Sequence, residues 1–223
     1  PDAWAVWQAH ARSAVELALL TSDVPRQQAA GKEMILAWSK QPPDAGTWTW
    51  SLSYQLITLC EYYLMTQDAS VLPTIKADVL RLEHAQYSGK ILVWQAKPEE
   101  DAAAIDAAQQ LYDGGFGHGP YVSGIDKNGY GPMQYTTILA VTAWQLAGRC
   151  GVDAKPGCIK RALDFIHRGT NEIGYIAYGG EFTLNNGIVD SVAWRNSTDG
   201  TNYVGRTSAA IVAHSLSPEF PES

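Results

Sequence analysis

Apolar residues along this chain recur at helical spacing, and two kinds of helical segment alternate. The first, Trp4 to Leu20, is apolar nearly all round, and its alanines and leucines are strong helix formers. The next, Arg26 to Lys40, has two faces: Ile35, Leu36 and Trp38 on one, Arg26, Lys32, Glu33 and Lys40 on the other. Pro42 and Gly46 then break the chain. The pair recurs. Ser51 to Thr66 is apolar-rich, and Val71 to Tyr87 sets Leu72, Ile75, Val79 and Leu82 against Lys76, Asp78, Arg81 and Glu83. Between them and the third cycle, an extended piece at Ile91–Trp94 is expected. A helix opened by Pro98 should follow, with Glu99, Glu100 and Asp101 in its first turn, where the dipole favours acids. The third cycle is Thr136 to Gly148, with no polar face, then the two-faced Pro156 to Arg168. Alternation in Tyr175–Tyr178 and Phe182–Leu184 predicts a short β-hairpin, and a fourth apolar helix runs from Thr207 to Leu216.

A helix apolar on every side must be covered on every side, whereas one with a wet face belongs outside. Alternation of the two predicts an inner ring of helices wrapped by an outer ring. Repeats of this kind bury a continuous core only when stacked. Three and a half hairpins do not close a ring of six. The expected fold is therefore all-α, part of a larger α/α toroid or an open arc of one, with glycine-rich loops, forming a single domain over residues 1–223. The chain opens at Pro1 without a methionine, so it is expected to be one piece of a larger protein.

Composition narrows the functions. The chain has 223 residues and is 46% hydrophobic with 8 Trp and 11 Tyr, which excludes a disordered segment. A net charge of −7 without a basic stripe argues against nucleic acid as a partner. No apolar run approaches the roughly 20 residues of a membrane span. Cys60 reads as a small core residue, while Cys150 and Cys158, eight apart across a Gly/Pro turn, are candidates for a disulfide. Metal-ligand spacing and a phosphate-binding glycine loop are both missing, so neither metal nor cofactor is expected. The 20 glycines are uneven: seven lie between Gly114 and Gly131, and seven between Gly169 and Gly205.

Two of these glycine stretches carry a resemblance. Gly114-Gly-Phe-Gly117 precedes the helix at Thr136, and Gly174-Tyr-Ile-Ala-Tyr-Gly-Gly180 precedes the helix at Thr207; Gly46-Thr-Trp48 is a weaker match. Together with the hairpins they resemble the prenyltransferase and squalene-cyclase superfamily of α/α toroids, particularly its uncharacterised bacterial members. The resemblance implies a toroid in which the loops entering the inner helices meet at one end of a central cavity, and an extracytoplasmic location. It does not carry the superfamily's best-known chemistry. The Asp-x-Asp-Asp acid of the cyclases, the zinc ligands of the protein prenyltransferases and the thioester Gly-Cys-Gly-Glu-Gln are all missing from this sequence.

The glycine loops also hold the candidate site residues. His118, flanked by Gly117 and Gly119, is placed to act as a base or ligand contact. Asp113 lies in the same loop, and Asp126 reads as a turn residue. Tyr130, Gln134 and Tyr135 bracket the start of the third inner helix and are expected to face the cavity mouth. The run from Trp194 to Arg206 is the densest polar string before an inner helix. Arg195 and Arg206 suit an anion clamp, and Asn196, Asn202 and Tyr203 suit its orientation, with Glu181 as a candidate partner. Trp48, Trp50 and Trp94 add aromatic surface of the kind that stacks on sugar rings, or else core.

Taken together these features predict binding of a glycan or peptide by the glycine- and aromatic-rich loops. The alternative is a metal-independent, lyase-like enzyme using His118, Tyr130 or Tyr135 with Arg206. Isoprenoid chemistry ranks last.

Overall fold

The computed structural model describes residues 3–40, 49–88, 106, 110–118, 130–172, 174, 176–185, 188–195 and 203–215. Helices dominate, as the periodicity requires. They are α1 (Ala3–Leu20), α2 (Pro25–Ser39), α3 (Thr49–Thr66), α4 (Leu72–Ala85), α5 (Gln134–Arg149), α6 (Cys158–Arg168) and α7 (Tyr203–Ser215). A 3₁₀ turn at Ala69–Val71 leads into α4, capped by the Asp68 carboxylate, which accepts from the Ser70 amide. Pro25 opens α2, and Pro73 lies in the first turn of α4, where a missing N–H costs nothing.

The apolar helices pack on one another in chain order: α1 on α3, α3 on α5, α5 on α7. Each two-faced helix packs on its own hairpin mate: α2 on α1, α4 on α3, α6 on α5. Trp50 and Tyr135, each the second residue of its helix, stack with ring centroids 5.3 Å apart, so α3 and α5 start at the same end. Late in α5, the Gln145 side chain donates to the carbonyl of Ala213, late in α7, at 2.8 Å. These three helices therefore run parallel. The buried core to which α3 and α5 contribute includes Leu52, Leu56, Leu59, Ile138, Val141 and Trp144. Burial of each large side chain contributes about 1.5–3 kcal/mol.

Five expectations are corrected. The β-hairpin is a three-stranded antiparallel sheet, β1 (Tyr130–Met133), β2 (Gly179–Asn185) and β3 (Ile188–Arg195), in the order β1-β2-β3. Trp194 and Arg195, expected in an irregular polar loop, lie in β3 opposite Gly180 and Gly179. Only Ile176 of the first alternating stretch pairs, in an isolated bridge to Thr170. Cys150 and Cys158 form no disulfide; all three cysteines are free and buried. Nor are the apolar helices at the two ends of the series covered all round, for Val15 of α1 is 50% exposed and Ile211 of α7 64%. The expected extended piece at 91–94, the start of the helix after Pro98, and Trp48, Trp94 and Asp126 lie outside the described residues; residues 106 and 110–112 are helical.

Candidate functional site

The first glycine cluster reaches its place by close approach. Gly114 has φ +85°, and a Cβ there would sit 2.1 Å from the Arg161 carbonyl oxygen on α6. Gly115 leaves the same kind of room for Pro132 and the Phe165 ring. The loop backbone is then pinned on several sides. Gly114 N–H donates to the Tyr87 carbonyl at 2.7 Å, and Tyr87 N–H returns to the Gly115 carbonyl at 2.9 Å. Buried Gln86 donates to the carbonyls of Gly114 and Cys158, while its own oxygen accepts from Arg161. Phe116 N–H donates to Thr137 Oγ1 at 3.0 Å, and Met133 N–H to the Phe116 carbonyl at 2.8 Å. Arg168 donates to the Asp113 carbonyl. Asp113 thus joins the loop to α6 through its backbone.

At the end of this pinned segment His118 meets the start of α3. Its carbonyl accepts the Thr49 N–H at 2.9 Å, which satisfies one of the donors a helix start leaves open. Its ring stacks on Trp50 with centroids 6.0 Å apart and planes at 28°, and the Trp50 indole N–H donates to His118 Nδ1 at 2.9 Å. An indole nitrogen only donates. Nδ1 is therefore the acceptor, and the proton of the neutral ring sits on Nε2. Tyr135 stacks on Trp50 with planes at 25°. One turn further along α3, Tyr54 hydrogen-bonds Tyr135; burial first, then that bond, pushes the Tyr54 phenol up. Trp50, His118, Tyr135 and Tyr54 are all half-buried. They make one rigid polar-aromatic wall where α3, α5 and the glycine loop meet.

The structure thus brings together His118 and Tyr135, two of the residues proposed from sequence. Gln134 departs from expectation: instead of facing a mouth, it is fully buried, with Nε2 on the Phe165 carbonyl at 3.2 Å and Oε1 unpaired. Its backbone N–H meets the Tyr178 carbonyl, which ties α5 to the segment entering β2. Tyr130 pairs with Glu181 in the β1–β2 register, five residues ahead of Tyr135. Tyr203 and Arg206 lie in the first turn of α7, parallel to α5. For Tyr130, Glu181, Trp194, Arg195, Tyr203 and Arg206 only the backbone is described, and Asn196 and Asn202 fall outside the described residues. Tyr54 went unrecognised in the sequence, and Trp50 was left between core and surface. Their spacing of four places both on one helical face at the very start of an apolar helix, a signal that could have found them. Among the described residues no group of three or more His, Cys, Asp or Glu side chains is arranged to hold a metal ion. Among them, too, no helix is long and apolar enough to cross a membrane.

The class is thereby defined: a predominantly helical domain of successive hairpins, with a polar-aromatic cluster at the shared start of two parallel helices. A family model described as a domain of unknown function, DUF6288, matches residues 3–102 and 98–195. The chain belongs to that family. No curated protein and no solved structure matches it.

Proposed function

We propose that this domain is an open α/α-toroid arc that binds a glycan through the aromatic wall at the N-terminal end of its inner helices. The observation that carries the reading is the stack of Trp50 with His118 and Tyr135 beside the glycine loop. Rings with a polar tip suit a pyranose, which offers apolar C–H faces and a rim of hydroxyls. The Nε2–H of neutral His118 and the linked phenols of Tyr54 and Tyr135 supply oriented polar groups. Support for the toroid comes from the packing order, with α1, α3, α5 and α7 in series and α2, α4 and α6 each on its own mate.

The catalytic alternative has one observation in its favour, the meeting of His118 and Tyr135 on a single tryptophan. It reassigns their roles. With the indole N–H on Nδ1, neutral His118 presents a proton at Nε2, so it is the donor and Tyr135 takes the part of the base. Screening immobilised glycans with the full chain, then titrating any hit by calorimetry against Trp50→Ala, tests both readings. Saturable binding lost in Trp50→Ala, with no new unsaturated sugar ends after long incubation, supports binding. Accumulation of unsaturated ends supports the lyase, and no glycan bound at millimolar concentration defeats both.

A further inference from the structure

The three buried thiols divide into a pair and a single residue. Cys60 lies in the C-terminal half of α3, and Cys150 directly follows α5; they are 90 residues apart in the chain. Cys150 Sγ donates to the Cys60 carbonyl at 3.7 Å, and the two thiols interact with each other. Both are buried, at 0% and 8% exposure. Cys158 is elsewhere, at the start of α6, where its sulfur accepts from Arg161 Nη2 at 3.6 Å and its carbonyl from Gln86.

We propose that Cys60 and Cys150 are a modification site: they close to a single disulfide that staples the C-terminal half of α3 to the end of α5, and Cys158 stays reduced. The pairing is the opposite of the one that spacing suggested. Tertiary packing brings the distant sulfur close and turns the near one toward a cation.

In the folded, reduced chain neither thiol is a ready nucleophile. Burial pushes both up, and the Glu61 carboxylate adds to it. Closure therefore belongs to folding, once α3 and α5 have met and before their packing shuts the reagent out. A small-molecule disulfide supplies the oxidant. One cysteine thiolate attacks its sulfur, the S–S bond breaks, and one reagent thiol leaves. The second cysteine thiolate attacks the mixed disulfide and expels the other reagent thiol. Two cysteine thiols lose two protons and two electrons, and the reagent takes up both as two thiols.

The test refolds the full chain from urea with oxidised and reduced glutathione, and exposes the folded reduced chain to the same mixture. Alkylation, intact mass and peptide mapping follow the thiols. One alkylatable cysteine, Cys158, is expected after refolding, together with a linked Cys60–Cys150 peptide pair and a higher Tm than in the reduced chain. The folded arm should react at least tenfold more slowly. Cys158→Ala keeps the link and the Tm difference; Cys150→Ala loses both. Should Cys150→Ala not fold, mapping of the unsubstituted chain decides alone. Three alkylatable thiols after oxidative refolding, a link that involves Cys158, a Cys60–Cys150 link that lowers Tm, or equal rates in the two arms overturns the proposal.

Discussion

The α3–α5 pair has two unlike ends. At the start, Thr49, Trp50, Tyr54, Tyr135 and His118 gather half-buried rings, hydroxyls and an imidazole around a glycine loop. Further along, Leu59, Cys60, Trp144, Leu146, Ala147, Cys150 and Val152 belong to the buried apolar core. The same two helices thus present a wet, directional end and a dry, close-packed one. Close packing tolerates few polar groups, and each one buried without a partner is costly. A site needs such groups, so it is displaced to the end where helix starts leave donors open and glycine lets a loop come near. The dry end supplies the rigidity that holds the rings of the wet end in register.

Substitutions should separate the two ends, and the largest effect is expected at the dry one. Trp144 is fully buried, its ring edge-on to Phe116 at 5.4 Å. Trp144→Ala should cost about 3–5 kcal/mol in urea unfolding. Phe116 lies two residues before His118, so the near-ultraviolet circular dichroism of the aromatic wall should weaken as well; an unchanged spectrum in a folded variant would show the ends to be independent.

Asp78 of α4 tests the dry end by pH. Its carboxyl is fully buried, with Arg81 at 2.5 Å on one oxygen and no partner for the other, and burial outweighs Arg81 to push its pKa up to about 6. Between the ordinary carboxylate range and pH 6 the folded chain then holds more protons than the unfolded one. Its contribution to stability is complete below about pH 4 and is lost as pH rises through 6, on the order of 3 kcal/mol. Asp78→Asn should remove this slope and be the more stable protein at pH 7, as read from urea midpoints at pH 4.5 and 7. A steeper slope in the variant would contradict the assignment.

At the wet end, Gly114→Ala meets both a positive φ and the Arg161 carbonyl. It should cost about 2 kcal/mol in urea unfolding and displace His118, so that under the proposed glycan-binding function affinity, read by calorimetry, falls further than stability does. The smallest effect on stability is expected from Trp50→Phe, which keeps a stacking ring and loses only the indole N–H. About 1 kcal/mol or less should be lost. Nitrogen NMR of His118 should report the change, with the proton no longer confined to Nε2; an unchanged tautomer would show that Trp50 does not set it.

Helical periodicity alone located every helix now described to within a few residues, because each buries one face or all faces and must repeat at 3.6 to do so. It also separated the apolar helices from the two-faced ones, since a wet face is written into Arg26, Lys32 and Glu33 or Lys160 and Asp164. The glycine clusters marked where chain would pass close to chain. What they could not show was which chain. Gln86 and Tyr87, Thr137, and Arg161 converge on Gly114–Phe116 from three separate segments. The strands β1 and β3 lie outside the expected hairpin: β1 is four residues with a glycine and a proline, β3 lacks strict alternation, and both gain their pairing from β2.

The sequence by itself therefore determined the helices, their order and their apolar faces, all local consequences of spacing. Only the tertiary structure decided that Trp50 would hold His118 in one tautomer, that Gln134 would turn inward, and that Cys150 would meet Cys60 rather than Cys158. Those are contacts between residues tens of positions apart. They are set by how helix surfaces interlock, and no single stretch of chain contains the information.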